Sequence, residues 1–583
     1  MESPEFELPN TKYKIPNTLI HTGRLVPIYP ETYGISSKWL RSRIAATLHL
    51  VGERQEEFLP DEIRLHHQLM GYTEAVHQIH FPDSAESEQR ARHRLAFDEI
   101  FKTQLVSAIR KQQWQEEKIA KTLHVSRYTL QVKQFTDSLP FTLTKAQCRA
   151  IDEIFNDLGK SHPMNRLLQG DVGCGKTVVA ALAMYITHLN GFRSILMAPT
   201  EILAEQHYET IKQFVEPHGL SVQLVTSSTK LQNTKYKILN TTCDIVIGTH
   251  ALLYKNDFKN VGLVVIDEQH RFGVEQRAVL SQKGRSPHLL AMTATPIPRS
   301  VALVLYSELD LSVIDEMPVG RKPVKTWVVP EHKREAAYEW MRKQIQSNTV
   351  VTPFMASKNK DAINRITTNQ AFIICPLIEE SEHETMQSVK AATVEFDRLK
   401  KKVFPDFKLG LLHGRVPSKE KESILHQFST GQLAILVATP VVEVGIDIPN
   451  ATIMMIEASE RFGLAQLHQL RGRVGRGTAQ SYCLLFSQGD NGVTNKRLKS
   501  MERINNGAQL SEIDLAIRGP GQLYGTAQHG RFGFKLASMT DHVLIAGAQT
   551  AAARLIEQDP ALSGHPSLQE WIKHDTIRDI KPN

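Results

Sequence analysis

The chain has 583 residues, of which 41% are hydrophobic and 22% are charged. This composition excludes a disordered, collagen-like or fibrous protein, and the length predicts about four compact units. The formal charge is +7, from 69 Lys and Arg against 62 Asp and Glu. So small an excess permits a nucleic-acid partner without requiring one, because only local clustering would create a phosphate-binding face.

The cysteines and the start of the chain indicate the cellular compartment. The 5 cysteines lie far apart and form no C-x-x-C pair, so neither a disulfide framework nor a cysteine zinc site fits. The opening sequence MESPEFELPN lacks the apolar core of a secretory signal, and no apolar run approaches the ~20 residues of a membrane helix. We therefore expect a soluble, cytoplasmic, multidomain protein.

Residues 1–134 are predicted to be mostly helical behind a short extended start. Apolar residues recur along RLAFDEIFKTQLVSAI, residues 94–109, with the spacing of one helix face. Before it, IPNTLIHTGRLVPIYP contains three prolines and two short apolar runs, which favour strand and turn over helix.

From about residue 140, short apolar runs alternate with longer helical patterns. The runs in the first half are RLLQG, SILMAPT, CDIVIGT, VGLVVIDE and HLLAMTAT, and the later ones are AFIICPLI, KLGLLHG, AILVAT, TIMMIE and SYCLLF. Continuous apolar strands between helices indicate parallel sheets covered on both faces. We expect two successive α/β domains joined near 320–330, a loop or insertion at 346–370, and a helical tail after about 490 that RGPGQLYG interrupts.

The sequence at 170–177 matches the phosphate-binding pattern G-x-x-x-x-G-K-[ST]. Its glycines let the loop curl so that backbone N–H groups point at phosphates, and the following helix adds its N-terminal dipole. Lys176 is expected to reach the β- and γ-phosphate oxygens, and the Thr177 hydroxyl is expected to bind Mg²⁺. The candidate nucleotide-binding residues of the loop are Gly170, Asp171, Val172, Gly173, Cys174, Gly175, Lys176 and Thr177.

Two carboxylates, Asp267 and Glu268, follow the apolar run VGLVVI directly. Asp267 is expected to hold Mg²⁺ through its water shell, and Glu268 is expected to orient and deprotonate the attacking water. Acidic residues often end strands, so this pair alone is weak evidence for a catalytic site. The phosphate loop earlier in the chain makes that interpretation strong.

Three arginines, Arg471, Arg473 and Arg476, lie close together in QLRGRVGR of the second α/β domain. An arginine supplied across a cleft neutralises charge that develops on a γ-phosphate, whereas the alternative reading is a solvated basic surface. The first reading places ATP between two domains that its hydrolysis opens and closes. The predicted catalytic residues are Lys176, Asp267, Glu268, Arg473 and Arg476.

These motifs, with others in the same order, resemble the RecG family of ATP-dependent DNA helicases, in helicase superfamily 2. The resemblance covers residues 25–583, and its DEQH and QGDVG sequences favour this family over the transcription-repair coupling translocases. The sequences that carry it include LPFTLTKAQ, MNRLLQGDVGCGKT, APTEILAEQH, IDEQHRFGVEQR, MTATPIPR, ERFGLAQLHQLRGRVGRG and DLAIRGPGQLYGTAQHG.

The resemblance implies an α/β fold of two tandem RecA-like parallel-sheet domains, with a helical N-terminal region and a C-terminal helical translocation element. Its domains would be a wedge remnant with a helical linker at 1–134, an ATP-binding domain at 135–322, a second RecA-like domain at 323–489 and the translocation region at 490–583. It also implies a bacterial, nucleoid-associated monomer that uses ATP and Mg²⁺ and remodels branched and duplex DNA in repair and recombination.

The resemblance assigns further residues by position. Phe141 and Gln147 would recognise adenine, and Gly445 and Asp447 would contact the nucleotide from the second domain. On sequence alone, Arg518 fits an ordinary surface arginine equally well. The candidate residues for DNA contact, or for its coupling to the nucleotide, are Thr200, Thr249, Thr293, Thr295, Thr439, Arg518 and Gln528.

The sequence departs from the family's pattern in three places. The family's wedge is built on an OB-type barrel of five strands, and the 24 residues before LVPIYP suffice for one or two, so we expect the barrel to be mostly missing. Pro440 follows Thr439 where the family usually has a second threonine, which removes an N–H and a hydroxyl. The segment at 346–370 looks inserted.

Several functions stay open at this point. The first is an ATP-driven duplex-DNA translocase that remodels forks and junctions. The alternatives are a DNA-stimulated ATPase with weak fork specificity, because its wedge is absent, and a translocase of the transcription-repair coupling type. A catalytically inactive DNA-binding adaptor is disfavoured, because such a protein would have no physical need for all of the catalytic residues together.

Overall fold

The structure is a computed structural model that describes residues 20–21, 25–52, 57–117, 120–226, 243–249, 252, 260–268, 287–298, 301–302, 304, 309–318, 320–347, 349–350, 366–367, 369–376, 392–440, 448, 450–475, 477, 479–487, 492–518 and 534–579. The chain divides into two compact units. The helical unit consists of Met1–Trp114, Arg299–Glu308 and Pro520–Asn583, and the sheet unit of Gln115–Pro298 and Leu309–Gly519.

The helical unit is built around one long helix. Its core contains Phe97, Phe101 and Leu105 of α4 together with Ile545 and Ala548 of α14. The helix predicted over 94–109 is therefore confirmed as the middle of α4. The helices of this unit are α1 (Ser37–Gly52), α2 (Asp61–His66), α3 (Tyr72–His80), α4 (Ala85–Glu117, whose last turn enters the sheet unit), α14 (His542–Gln558) and α15 (Pro566–Asp579).

Arg94 of α4 is fully buried and is held by two carboxylates. Its guanidinium donates to Asp98 at 2.9 Å, to Glu57 at 2.6 Å and to the carbonyl of Met70 at 2.7 Å. A buried cation is tolerated only when it is paired and hydrogen-bonded. This network therefore fixes the chain around α2 and α3 onto α4.

The sheet unit contains the remaining helices and all fifteen strands of the described residues. Its helices are α5 (Thr129–Ser138), α6 (Lys145–Leu158), α7 (Lys176–Leu189), α8 (Glu201–Val215), α9 (Arg334–Ser347), α10 (Ser418–Ser429), α11 (Leu464–Arg471), α12 (Gly492–Arg503) and α13 (Gly507–Arg518). Its strands are β1 (Asn165–Gly170), β2 (Arg193–Met197), β3 (Val222–Val225), β4 (Ile245–Gly248), β5 (Val261–Asp267), β6 (His288–Thr293), β7 (Asp310–Ile314), β8 (Lys325–Val329), β9 (Thr349–Val350), β10 (Ile366–Thr367), β11 (Gln370–Ile374), β12 (Leu409–Leu412), β13 (Ile435–Ala438), β14 (Ala451–Ile456) and β15 (Tyr482–Phe486).

The first sheet has seven parallel strands in the order β3-β4-β2-β5-β6-β1-β7. In its register, Leu167 of β1 lies opposite Ala291 of β6 and Leu311 of β7. β5 is buried over its whole length, and so is most of α7, because helices cover the sheet. β1 and β5 lie on either side of β6, and their carboxyl ends reach the same edge of the sheet. Ligands of open α/β sheets bind at this edge.

The second sheet has six parallel strands in the order β12-β13-β11-β14-β15-β8, with a hydrophobic core on each face. Its edge strand β8 lies within the stretch 320–330 that the sequence suggested as a linker, so the linker is shorter than predicted. In β8, Lys325 and Trp327 are exposed, whereas Thr326 and Val329 are buried. A search for continuous apolar runs misses such a half-buried edge strand.

The predicted fold class is confirmed. All of the apolar runs that predicted strands lie in the two parallel sheets, while β3, β7 and β8 were not predicted. The ends of the expected insertion form the short antiparallel pair β9–β10, and residues 351–365 lie outside the described residues. Residues 1–19 and 22–24, where the wedge remnant was expected, also lie outside them. Among the described helices, none has the length and apolar character that crossing a membrane requires.

Replacing Arg94 by Met is expected to destabilise the helical unit by about 3 kcal/mol, because it leaves the carboxylates of Asp98 and Glu57 without their cation. The matched control is Arg92→Met on the same helix, since Arg92 pairs with Glu88 at the surface, where an ion pair contributes at most about 1 kcal/mol. Urea unfolding followed by circular dichroism measures both variants. Equal midpoints for the two would contradict a stabilising role of the buried network.

Candidate functional site

The predicted phosphate loop joins β1 to α7 at the edge of the first sheet. Gly173 and Gly175 have φ angles of +82° and +90°, in the left-handed region that favours glycine. A Cβ atom on Gly175 would collide with the amide of Gln147, and one on Gly173 would collide with the guanidinium of Arg321. The glycines are therefore needed for two reasons: they allow the backbone of the loop to curl, and they leave space for the side chains of Gln147 and Arg321.

Lys176 is the first residue of α7, and its ammonium group lies against the loop. It donates to the carbonyl of Gly170 at 2.7 Å and to that of Asp171 at 3.1 Å. The ammonium charge of Lys176 and the positive end of the α7 dipole therefore lie at the same end of the loop, an arrangement that favours phosphate binding. Burial raises the pKa of the Cys174 thiol, which keeps this loop residue protonated and unreactive.

Gln147 uses its side-chain amide within the protein. Its Nε2 donates to the carbonyl of Cys174 at 2.8 Å, and its Oε1 accepts from the backbone N–H of Thr144 at 2.8 Å. The Thr144 hydroxyl accepts in return from the backbone N–H of Gln147, which completes a capping box at the start of α6. Gln147 therefore holds the phosphate loop onto α6, and its role in adenine recognition stays a prediction. Phe141 is 39% exposed, with its ring 6.2 Å from that of Phe214.

The two predicted carboxylates lie at the carboxyl end of β5. Asp267 is buried, and its Oδ2 accepts a hydrogen bond of 2.7 Å from Nε2 of His207 on α8. Glu268 has a φ angle of +54°, a strained value outside glycine that costs about 1–3 kcal/mol and occurs most often at functional sites. His207 was not predicted as a site residue, although it ends the sequence APTEILAEQH, because a single histidine in a helix indicates no particular partner.

The two carboxyl groups have opposite pKa shifts. Burial acts to raise the pKa of Asp267, but the hydrogen bond from His207 and the charge of Lys176 outweigh it and lower the pKa. Burial, reinforced by the charge of Asp267, raises the pKa of Glu268. Neighbouring carboxyls whose pKa values diverge suit different roles, one as a permanently charged ligand and the other as a proton acceptor.

One cavity of about 1000 Å³ collects these groups. Its walls contain Lys176 and Thr177 from the loop, both carboxylates, and Arg473 from the second sheet domain. Further lining residues come from α8 and α10, so the cavity lies between the two sheet domains. The fold therefore brings together a loop, a carboxylate pair and an arginine that are far apart in the sequence.

The three clustered arginines have different surroundings. Arg473 is 5% exposed and lines the cavity. Arg471 is 3% exposed and instead donates to the carbonyls of Met501 at 2.8 Å and Ile504 at 3.0 Å, within the second sheet domain. Arg471 therefore stabilises that domain. Arg476 lies outside the described residues.

The arginine segment approaches the phosphate loop at Gly472. A Cβ atom there would lie 3.0 Å from the Cβ atom of Val172, so a residue without a side chain permits this close approach. Arg321, from the connection between the two sheets, joins the same two segments. It donates to the carbonyl of Val172 at 2.7 Å and to that of Gly475 at 3.1 Å. No sequence motif identified Arg321 as a site residue, because its two acceptors belong to different sheet domains and a local pattern does not indicate such contacts.

The predicted threonines lie near strand ends. The Thr200 hydroxyl accepts from the backbone N–H of Leu203 and so caps α8. The Thr295 N–H donates to the Thr293 hydroxyl, and Nε2 of Gln469 in the second domain donates to the Thr295 hydroxyl at 3.2 Å. Of the other predicted residues, Thr249 follows β4, Thr439 follows β13, Arg518 ends α13, and Gly445, Asp447 and Gln528 lie outside the described residues.

The chain matches three protein families in succession. Residues 144–304 match the DEAD/DEAH box helicase family, residues 357–478 match the helicase conserved C-terminal domain, and residues 504–579 match the C-terminal part of domain 3 of the ATP-dependent DNA helicase RecG. These matches include most strands of both sheets and the helices α13 to α15, while β7, β8 and β15 lie outside the matched ranges.

Curated relatives named ATP-dependent DNA helicase RecG are similar to this chain over most of its length. The one from Synechocystis sp. is 44% identical over 94% of this chain, and the one from Bacillus subtilis is 40% identical over 91%. The chain spans 63% of the length of the first relative and 75% of the second. A solved structure of RecG bound to a three-way DNA junction is 38% identical, with a TM-score of 0.69, and the match covers 91% of this chain and 66% of that one.

Replacing Gln147 by Ala is expected to lower the free energy of unfolding of the sheet unit by about 1–2 kcal/mol, because it removes the capping-box contact and the hydrogen bond to Cys174. The control is Lys145→Ala, at an exposed position of the same helix. Urea unfolding without nucleotide measures the change. A midpoint for Gln147→Ala that equals that of the control would contradict a structural role of this amide.

Proposed function

Since the chain belongs to the RecG family of ATP-dependent DNA helicases, we propose that it hydrolyses ATP to move along duplex DNA and to remodel branched DNA such as forks and junctions. The observation that carries the proposal is the cavity between the two sheet domains. It holds phosphate-binding, carboxylate and arginine groups from both domains. A site divided in this way couples each cycle of nucleotide turnover to the opening and closing of the two domains.

The phosphate loop binds the triphosphate in this proposal. Lys176 and the N–H groups at the start of α7 neutralise the β- and γ-phosphates. The Thr177 hydroxyl and the Asp267 carboxylate line the same cavity and are oxygen ligands of the kind that Mg²⁺ prefers. They fit a magnesium ion, which would supply charge neutralisation for the phosphates when it is bound.

Glu268 is the proposed general base. Its raised pKa gives the carboxylate a higher proton affinity than an ordinary glutamate, which favours removal of a proton from the attacking water. Arg473 lines the same cavity from the second sheet domain and would neutralise the charge that develops on the γ-phosphate. Arg476 is proposed for the same task from its place in the motif.

The other finer assignments are proposals as well. The domain limits at 322 and 489 are supported by the strand positions, because β7 ends at Ile314, β8 begins at Lys325 and β15 ends at Phe486. The limit at 134 has no such support, since it lies within α5 and the two compact units divide between Trp114 and Gln115. We propose that the enzyme acts as a monomer on the DNA of the bacterial nucleoid. The solved RecG bound to a three-way DNA junction supports branched DNA as its substrate.

The test of this function is ATP turnover without DNA, with linear duplex and with a three-way junction. DNA is expected to raise turnover, and Lys176→Ala is expected to reduce it by about a hundredfold or more while DNA binding persists, because the lysine contacts phosphates of the nucleotide. Lys343→Ala, at an exposed position of α9, is the control. Turnover that DNA leaves unchanged, or a fully active Lys176→Ala variant, would overturn the proposal.

Arg473→Ala is expected to lower kcat by about a hundredfold and to change the KM for ATP much less, because its charge is needed mainly in the transition state. Arg503→Ala, an exposed arginine at the end of α12, controls for the loss of charge. Steady-state kinetics at saturating DNA separate the two parameters. A large rise in KM at constant kcat would assign Arg473 to ground-state binding instead.

A further inference from the structure

Two polar bridges join the arginine segment, residues 471–476, to the phosphate loop. The first bridge lies before Arg473 in the chain and comes from the end of α11. The second lies after Arg473 and comes from the connection between the two sheets. Arg473, which lines the nucleotide cavity, therefore lies between two points at which its segment is held to the loop.

The first bridge is made by Asp171 of the phosphate loop. This residue was predicted to bind nucleotide, but its side chain turns to the second sheet domain. Its Oδ1 lies 3.2 Å from Nε2 of His468 on α11, and its Oδ2 accepts from the backbone N–H of Gly507 at 3.1 Å. Although burial acts to raise the pKa of Asp171, the hydrogen bonds from His468 and Gly507 help to lower it, so the carboxylate stays charged.

His468 extends the first bridge to the start of the arginine segment. A guanidinium can only donate, so Nδ1 of His468 accepts from Arg471 at 2.8 Å, and Nε2 carries the proton that is donated to Asp171. Arg471 is itself fixed by carbonyls at the end of α12 and just after it. The helix side of the arginine segment is therefore held both to its own domain and to the phosphate loop.

The second bridge is made by the guanidinium of Arg321. Its Nη1 donates to the carbonyl of Val172 at 2.7 Å, and its Nε donates to the carbonyl of Gly475 at 3.1 Å. The donors of a guanidinium are fixed in one plane, so this side chain sets the separation of the two carbonyls. A lysine ammonium is a point charge on a flexible stem and does not impose the same geometry.

The backbone around the second bridge has little freedom to move. Gly475 has a φ angle of +78°, in the left-handed region, and a Cβ atom there would lie 2.9 Å from a methyl group of Val324. A Cβ atom on Gly173 would collide with the guanidinium of Arg321, so the loop leaves room for this side chain. The turn after Arg473 therefore has a specific conformation, and Arg321 holds that turn against the phosphate loop.

We propose that Arg321 is a positioning residue for ATP hydrolysis, because it holds the turn after Arg473 to the loop that binds the phosphates. This inference rests on the proposed function, since it needs an ATPase in which Arg473 acts on the γ-phosphate. Arg321 does not line the described cavity, so it acts through the arginine segment. Displacing a group by about 1 Å during a reaction costs up to about a hundredfold in rate, so the second bridge matters for the rate even though it lies outside the cavity.

Arg321→Ala is expected to lower kcat for ATP by about tenfold or more and to change the KM by less than about threefold, because it displaces a group that acts mainly in the transition state. Lys322→Ala, at the exposed neighbouring position, controls for the loss of a positive charge. Arg321→Lys keeps the charge without the planar fork and is expected to restore kcat only in part. Amide hydrogen exchange of residues 473–475, measured without nucleotide, is expected to become faster in Arg321→Ala and to stay unchanged in the control.

A double-mutant cycle with Arg473→Ala separates positioning from a merely structural role. In the Arg473→Ala background, the loss of kcat caused by Arg321→Ala is expected to shrink from about tenfold to about threefold or less, because the group that Arg321 positions is gone. Losses that multiply independently would overturn the inference, as would a normal kcat of Arg321→Ala or full activity of Arg321→Lys. A rise in KM at constant kcat would also overturn it, by assigning Arg321 to nucleotide binding.

The inference and the proposed function fail in different ways. A chain that does not hydrolyse ATP would overturn the proposed function and the inference with it. A chain that hydrolyses ATP and loses activity in Arg473→Ala, but shows independent effects of Arg321 and Arg473, removes the inference alone.

Discussion

The phosphate loop has two sets of contacts, and the arrangement of the sheet unit depends on both. On the cavity side, Lys176 and the N-terminus of α7 provide positive charge. Elsewhere on the loop, the carbonyl of Val172 accepts from Arg321, and the carboxylate of Asp171 binds His468 and α13. Because one short loop makes all of these contacts, a change in its conformation is transmitted directly to the second sheet domain.

The cavity concentrates charges that would be costly to bury singly. Asp267 and Glu268 lie side by side at the end of a buried strand. The charge of Lys176 favours the ionised form of both carboxyls, and the charge of Arg473 favours that of Glu268. Groups held in this way do not need to reorganise when charge develops during a reaction, which is the main source of electrostatic catalysis. The strained backbone of Glu268 fits the same picture, since such strain persists only where the surroundings fix the residue.

Close approach between the two sheet domains depends on glycines outside the phosphate motif. Gly472 lets the arginine segment reach Val172, and Gly507 leaves room for Asp171 and His468. Each lies where a side chain would separate the loop from its partner. Hydrogen bonds from Arg321 and Gln469 then join the domains at the positions that these contacts bring within reach. The interface is therefore specified by a few small residues and a few long polar ones.

The sequence alone determined the two parallel sheets, the phosphate loop, the carboxylate pair and the family, because each is encoded in a local pattern of apolar runs or motif spacings. It missed the half-buried edge strand β8, whose mixture of exposed and buried residues differs from a continuous apolar run. Only the tertiary structure decided that Gln147 holds the loop, that Arg471 is structural, that Asp171 faces α13, and that His207 and Arg321 contact the site. These roles depend on partners up to several hundred positions away, and local periodicity carries no information about which distant residues the fold brings together.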